Sequence, residues 1–408
     1  MNNKEKYADL LVRTGINLKN NQLLVINSPV ECADFTRLVT EKAYEAGAKE
    51  VFIRWNDEKS DRIRFNMGPD EIFDNVNSWD LDFLNSTVNQ DAAYLRISAS
   101  DPELMKDVDP KRMARQSKAI TLGSEYYRSR LMSNQNVWCV ASIPTESWAK
   151  KVFPNEKNSI DSVNKLWDAI FKAVRVDTPD PVQAWKEHQD ILSKRKKFLN
   201  DSNFKSLNYK NSLGTNVTVE LVENHIWFGG GEESSTGQHF IANMPTEEIF
   251  SMPKKDGING KIVSSLPLNY HGNLIRDFYF VFKDGLIVEF DAKEGRDVLE
   301  ELLQTDEGAK RLGEVALVPY DSPISNSKTI FYNTLFDENA SCHFALGRAY
   351  PINIKNGENM NKEEMNKAGV NDSLVHVDFM VGSSDLEITG IKDDGTEIPV
   401  FVNGNFVL

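Results

Sequence analysis

The tightest constraint on the fold lies in residues 22–55. Residues 22–27 (Gln-Leu-Leu-Val-Ile-Asn) read as a short buried strand, about 33–46 as a helix closed by Gly47, and 50–55 as a second strand. Two strands joined through a helix of that length are connected by a crossover, which makes them parallel neighbours. The pattern recurs. Residues 93–97 and 137–143 read as strands, with a helix near 109–117 between them and another after Pro144-Thr145-Glu146. An amphipathic helix over residues 4–18 precedes the unit, with Tyr7, Leu10, Leu11 and Ile16 on one side. Alternation of this kind predicts an α/β domain with an open, mostly parallel sheet over residues 1–185. Its first strand-to-helix turn, Ser28-Pro29-Val30-Glu31, has no glycine fingerprint, so dinucleotide binding finds no support there.

After Asp177-Thr178-Pro179-Asp180-Pro181 and a long charged helix over about 182–199, the hydrophobic period shifts towards strict alternation. Strands are expected at 206–209, 214–221, 226–228, 260–265, 276–283 and 286–291, with a helix near 296–303. Asp284-Gly285 and Asp394-Gly395 mark hairpin turns. Residues 186–408 therefore read as a second domain, β-rich and of α+β type.

The chemistry-bearing residues concentrate in that second part. Residues 337–350 hold two carboxylates, an imidazole, a thiol, a guanidinium and a phenol within fourteen positions. Glu338 and His343 are five apart, about 140° round a helix, so they converge more naturally across an irregular segment than on a helical face. His376-Val377-Asp378 sits in a strand-like run, where residues two apart share a face; the pair is a metal-ligand pair, a tautomer-fixing pair, or part of a solvated face. Glu314 opens the apolar run Gly313-Glu314-Val315-Ala316-Leu317-Val318. A carboxylate on such a strand is costly unless paired or hydrogen-bonded, or lies at an exposed strand end. Pro245-Thr246-Glu247-Glu248 places two acids before Ile249 and Phe250, a pattern that also fits a helix cap. Gly229-Gly230-Gly231 lacks the following Gly-Lys-Ser/Thr of a phosphate cradle and reads as a loop or a close backbone approach.

The net charge of −14, without a basic block interleaved with aromatics, argues against nucleic acid and anionic membranes as partners. The N-terminus carries acidic residues and no apolar run of signal length, and three widely spaced cysteines, Cys32, Cys139 and Cys342, suit reduced thiols. A cytoplasmic location is expected. Cys342 beside His343 raises a cysteine-nucleophile reading, weakened because adjacent residues on a chain point apart.

Taken together, Pro245-Thr246-Glu247-Glu248, Gly313-Glu314-Val315-Ala316, Asn339-Ala340-Ser341-Cys342-His343 with Gly347 and Tyr350, and His376-Val377-Asp378 resemble the signature of the aminopeptidase T and aminopeptidase S family, the thermophilic metalloprotease family of bacterial aminopeptidases. The resemblance spans essentially the whole chain. It implies two divalent cations per subunit, held by Glu248, Glu314, Glu338, His343, His376 and Asp378, with Glu314 bridging and catalytic and Tyr350 in the site as oxyanion donor. Of the acid pair it favours Glu248 over Glu247 as ligand; Glu247 and Glu338 both remain candidates for the general base. It also implies a homodimer enclosing a chamber that admits short peptides with a free N-terminus. A donor set of carboxylates and imidazoles without thiolates suits Zn²⁺, Co²⁺, Mn²⁺ or Mg²⁺ and does not choose among them. Such a pair lowers the pKa of a water, polarises the scissile carbonyl and anchors the substrate amine. The expected function is thus a metal-dependent aminopeptidase. Another metal-dependent amide or ester hydrolase, and a non-catalytic binding protein, are the competing readings. A free-amine requirement separates the first two, and metal content the third.

Overall fold

The computed structural model describes residues 1–270 and 273–407. Leu23–Pro29 forms the second strand of a five-stranded sheet, between Glu50–Asn56 and Ala93–Ile97, followed outward by Trp138–Ala141 and Asn243–Met244. All four pairings are parallel. Leu23, Leu24, Val25 and Ile26 are buried in succession, as a strand covered on both faces requires. The crossover helix Ala33–Glu45 turns Phe35, Val39 and Ala43 inward at a spacing of four.

Two details depart from the sequence expectation in this part. The opening helix is α-helical only over Asn3–Leu10; Leu11–Gly15 is a wider π-type turn. The extra residue swings Gly15 against Met244 and Cys139, where a Cβ would meet their sulfurs at 3.1 and 3.2 Å. Helices Glu58–Met67, Ser78–Asn89, Glu125–Met132 and Ser159–Ala173 were also not anticipated. Glu58–Met67 and Glu125–Met132 bury no residue, so no apolar stripe announces them. Ser159–Ala173 does carry one, through Leu166, Trp167, Ile170 and Phe171.

The chain divides into two compact units, Met1–Glu187 with Gly231–Pro245, and His188–Gly230 with Thr246–Leu408. The division falls within the long helix Pro181–Ser202. Residues 231–245 return to the first unit and supply its edge strand.

The second unit is a sheet-on-sheet arrangement. Its larger sheet has nine strands, every pairing antiparallel, and includes the hairpin of Asn273–Lys283 with Leu286–Glu294. Asp284 and Gly285 turn it with φ of 50° and 74°, the paired positive values a two-residue hairpin favours. The smaller sheet runs Ile249–Ser251, Leu312–Leu317, His343–Gly347, His376–Met380, also antiparallel. Val315, Leu317, Phe344, Leu346 and Phe379 from its inner face share one core with Val219, Ile258, Phe278 and Phe280 of the larger sheet. Phe280 meets Phe379 edge-on at 5.2 Å between ring centroids, and Tyr209 meets Phe344 at 5.1 Å. Of residues 226–228, expected as a strand, Phe228 makes an isolated bridge with Phe250; His225, just before them, makes another with Ile354. Gly229, at φ 135°, ends the pairing there; a Cβ on it would stand 2.5 Å from the Glu248 carbonyl oxygen. The acid pair at 247–248 does not cap a helix, because Ile249–Ser251 is a strand. Among the described residues no helix is long and apolar enough to cross a membrane.

Candidate metal centre

Register decides which side chains meet. In the smaller sheet Glu314 stands opposite Ala345, which stands opposite Asp378; Ala316 faces His343, and Gly347 faces His376. Alternate residues of a strand share a face. One face therefore presents Glu314, His343, His376 and Asp378, and the interleaved residues Val315, Phe344, Val377 and Phe379 point into the core. The edge strand adds Glu248, since Phe250, its neighbour two positions on, pairs with Ala316. Ala316, Ala345 and Gly347 leave that face open for long side chains. A register shift between Leu312 and Glu314 marks a bulge at Gly313, where a Cβ would collide with the Gly347 carbonyl. Bulges of this kind re-aim a neighbouring side chain, here Glu314.

Two groups of ligand atoms result, Glu248 with Glu314 and His343, and Glu314 with His376 and Asp378, each with its atoms within 4.8 Å of one another. Glu314 belongs to both. His343 Nε2 lies 3.3 Å from Glu248 Oε2 and 3.5 Å from Glu314 Oε1; His376 Nε2 lies 3.5 Å from Glu314 Oε2 and 3.3 Å from Asp378 Oδ1. Glu248, Glu314 and His343 are buried, His376 and Asp378 half-buried.

The other nitrogen of each ring fixes its role. His376 Nδ1 is 2.7 Å from the Arg348 carbonyl oxygen and His343 Nδ1 is 3.2 Å from that of Ser341. A carbonyl oxygen only accepts, so both Nδ1 atoms carry the proton and each Nε2 faces carboxylates. A bare Nε2 lone pair there would repel the carboxylate oxygens, so the arrangement requires a cation or a proton on each Nε2. Without a cation the proton is held: neighbouring carboxylates outweigh burial and push the His376 imidazole up to about 9, and that of His343 well above its usual value. Asp378 Oδ1 is close to His376 Nε2 but not aligned for a hydrogen bond, and is a buried oxygen with no hydrogen-bond partner among the described residues. Burial raises the Glu314 carboxyl. Oxygen and imidazole donors converging on shared points, with a carboxylate oxygen left over, fit divalent metal binding.

The remaining sequence-expected residues are placed as follows. Glu338 follows the short helix Thr334–Asp337 and belongs to neither ligand group. Burial, then Glu248 and Asp378, push its carboxyl well up, so it lies in the same field. The Tyr350 ring packs on His376 with centroids 4.8 Å apart; burial and the carboxylates raise its phenol well above the usual value, which keeps it a hydrogen-bond donor. Glu247 turns the other way: its Oε2 is 3.6 Å from Nε2 of His188, which donates to the Thr246 carbonyl oxygen at 2.8 Å. Cys342 lies on the core side of the sheet, hydrogen-bonded in both directions to the Val318 backbone, with burial raising its thiol to about 12. That environment does not make a nucleophile.

Asn339 belongs to the sequence pattern, which assigns it no role. It is fully buried, accepts from the Glu247 N–H at 2.7 Å and donates to the Leu335 carbonyl oxygen at 2.9 Å, with Glu338 Oε1 at 3.4 Å. One amide thus ties the segment bearing Glu248 to the segment bearing Glu338. Its presence beside Glu338 was the available signal; its partner, 92 residues away in sequence, was not.

Residues 1–406 match the thermophilic metalloprotease (M29) family. The chain is 48% identical to aminopeptidase 2 of Geobacillus stearothermophilus over 98% of its own length and 97% of that protein's. It is 43% identical to aminopeptidase AmpS of Bacillus subtilis over the same shares. Among solved structures it resembles wild-type AmpT from Thermus thermophilus, with a TM-score of 0.93, 36% identity, and coverage of 100% of this chain and 99% of that one.

Proposed function

Because the chain belongs to the thermophilic metalloprotease (M29) family, we propose that this ligand face is the active centre of a metal-dependent aminopeptidase that removes N-terminal residues from short peptides. The family implies a divalent metal. The observation that carries the two-cation form is Glu314, whose two oxygens serve two different histidine-bearing groups. In this reading Glu248, Glu314 and His343 would hold one cation and Glu314, His376 and Asp378 the other, with Glu338 completing the donor set. When bound, the pair supplies an activated water and Lewis-acid polarisation of the scissile carbonyl.

The chain's own groups set the rest of the chemistry. The Nδ1–H bonds to Arg348 and Ser341 hold each imidazole as an Nε2 donor. Tyr350, kept protonated, donates to the oxyanion that develops on the carbonyl. Glu314 is fixed by its bulge so that both oxygens point at the reacting region. Glu247, facing His188, acts as a support for the Glu248 segment. Three free, buried cysteines suit a reducing compartment, which supports a cytoplasmic location, and the family resemblance implies a homodimer.

The test is a panel of unblocked aminoacyl-p-nitroanilides and their N-acetylated counterparts, with chelated protein and with added Co²⁺, Zn²⁺, Mn²⁺ or Mg²⁺. Cleavage of unblocked substrates alone, lost on chelation and restored by metal, is expected. His376→Ala is expected to lose bound metal and activity together while keeping the wild-type circular dichroism. Equal cleavage of blocked substrates would move the assignment to a general amidohydrolase.

A further inference from the structure

Beside the ligand groups lies a strip of aromatic rings of which the hydrolytic chemistry uses only the Tyr350 hydroxyl. Phe228 and Phe250 face each other across a bridge closed by two backbone hydrogen bonds, 2.9 and 3.0 Å, so their side chains stand on the same side. Their ring centroids are 6.5 Å apart, Phe250 is 6.1 Å from Tyr350 in an edge-on contact, and Tyr350 is 4.8 Å from His376. Phe250 alternates with Ile249 and Ser251, which places it on the Glu248 face rather than in the core. All three rings are half-buried, and none joins the core cluster behind the sheet, where Phe344 and Phe379 are 0% and 1% exposed. Aromatic rings left partly open beside a cluster of carboxylates are not explained by packing, since burial is what makes a ring stabilising.

We propose that Phe228 and Phe250, with the ring of Tyr350, form the subsite that receives the side chain of the substrate's N-terminal residue, and that this subsite selects large apolar side chains. The inference rests on the aminopeptidase reading. In such a reaction the scissile carbonyl and the free amine both lie at the ligand groups, and the first side chain branches from the carbon between them. It must therefore occupy a surface adjoining those groups, and the ring strip is an uncharged surface that does so. Ala316, opposite Phe250 in register, is small enough to leave depth beneath the rings. An apolar pocket discriminates by methylene count, roughly 10-fold or more between residues that differ by one or more buried carbons. Acidic side chains are excluded by the surrounding carboxylates.

The experiment measures kcat/KM of the Co²⁺-loaded enzyme for Leu-, Phe-, Ala-, Lys- and Glu-p-nitroanilide, and the calorimetric affinity of free leucine and alanine for the loaded protein. Leu and Phe are expected to exceed Ala roughly 10-fold or more, with Glu last, and leucine to bind more tightly than alanine. Phe250→Ala is then expected to collapse the Leu/Ala ratio towards one. Because both substrates are measured on one preparation, the ratio is independent of the fraction correctly folded. Phe228→Ala is a second variant that leaves the β-edge backbone in place, and a smaller fall in the same ratio is expected. Wild-type ratios in both variants, or a preference of the wild type for Ala, Lys or Glu over Leu, would overturn the subsite while leaving the aminopeptidase reading intact. Absence of cleavage of every unblocked substrate with every metal would overturn both.

Discussion

Leu23–Pro29 in the five-stranded parallel sheet and the two middle strands of the four-stranded antiparallel sheet are both deeply buried, yet only the latter carry ionisable side chains. In the parallel sheet Leu23, Leu24, Val25 and Ile26 are apolar on both faces, and burial alone accounts for them. Leu312–Leu317 and His343–Gly347 are buried at every position as well, but alternate residues are ionisable or very small. Burying Glu314 and His343 costs several kcal/mol unless a counter-charge is present. A fold keeps such residues where a ligand offsets that cost. The contrast teaches that composition per strand is less informative than composition per face.

The strongest test of this contrast is Glu314→Gln. Losing the shared carboxylate removes several kcal/mol of metal-derived charge stabilisation, a fall in kcat/KM of roughly 10³-fold. In chelated protein the same substitution removes a raised, buried carboxyl and is expected to leave the melting temperature unchanged or higher. A large drop in the melting temperature of the chelated protein would mean that Glu314 is structural. On the opposite face Phe379→Ala, at 1% exposure, is expected to cost about 3–5 kcal/mol in denaturant unfolding, because the cavity opens between the two sheets. If it instead abolished metal binding in the folded protein, the two faces would not be separable.

Asn339→Ala probes the tie between the ligand segments. A roughly 10–100-fold weaker metal affinity, measured by chelator competition on folded protein, is expected from losing a group that orients ligands. An unchanged affinity with a lowered melting temperature would make the residue a simple loop anchor. The mildest effect is on pH. The His376 imidazole is raised to about 9 in the metal-free protein, so its protonated form contributes stability fully below its unfolded value of about 6.5 and loses it as pH rises through about 9. A cation needs the neutral ring. Apparent metal affinity should therefore rise about tenfold per pH unit from this group between 7 and 9, with proton release in calorimetry; a flat profile would argue against His376 as a ligand.

Much of this was legible in the sequence, and the misses have physical causes. The helix Arg296–Leu303 and the strand Ala93–Ile97 lie where their periodicity put them. The Asp284-Gly285 hairpin follows from turn chemistry that is local to two residues. Glu58–Met67 was missed because it buries nothing and so has no stripe to read. The cap reading of Thr246-Glu247-Glu248 was open because the same residues serve a helix start and a strand entry; pairing of Phe250 with Ala316 decides for the strand.

By itself the sequence determined the change from helix-crossover to alternating period and the sharing of a face by His376 and Asp378, because each depends on residues close along the chain. The tertiary structure brings Glu248, the acid that the family resemblance favours, to Glu314 and His343, and it alone decided that the Gly313 bulge aims Glu314 and that carbonyls of Arg348 and Ser341 hold the Nδ1 protons. Those outcomes depend on register between strands separated by tens of residues and on where main-chain oxygens come to rest, which no local spacing encodes.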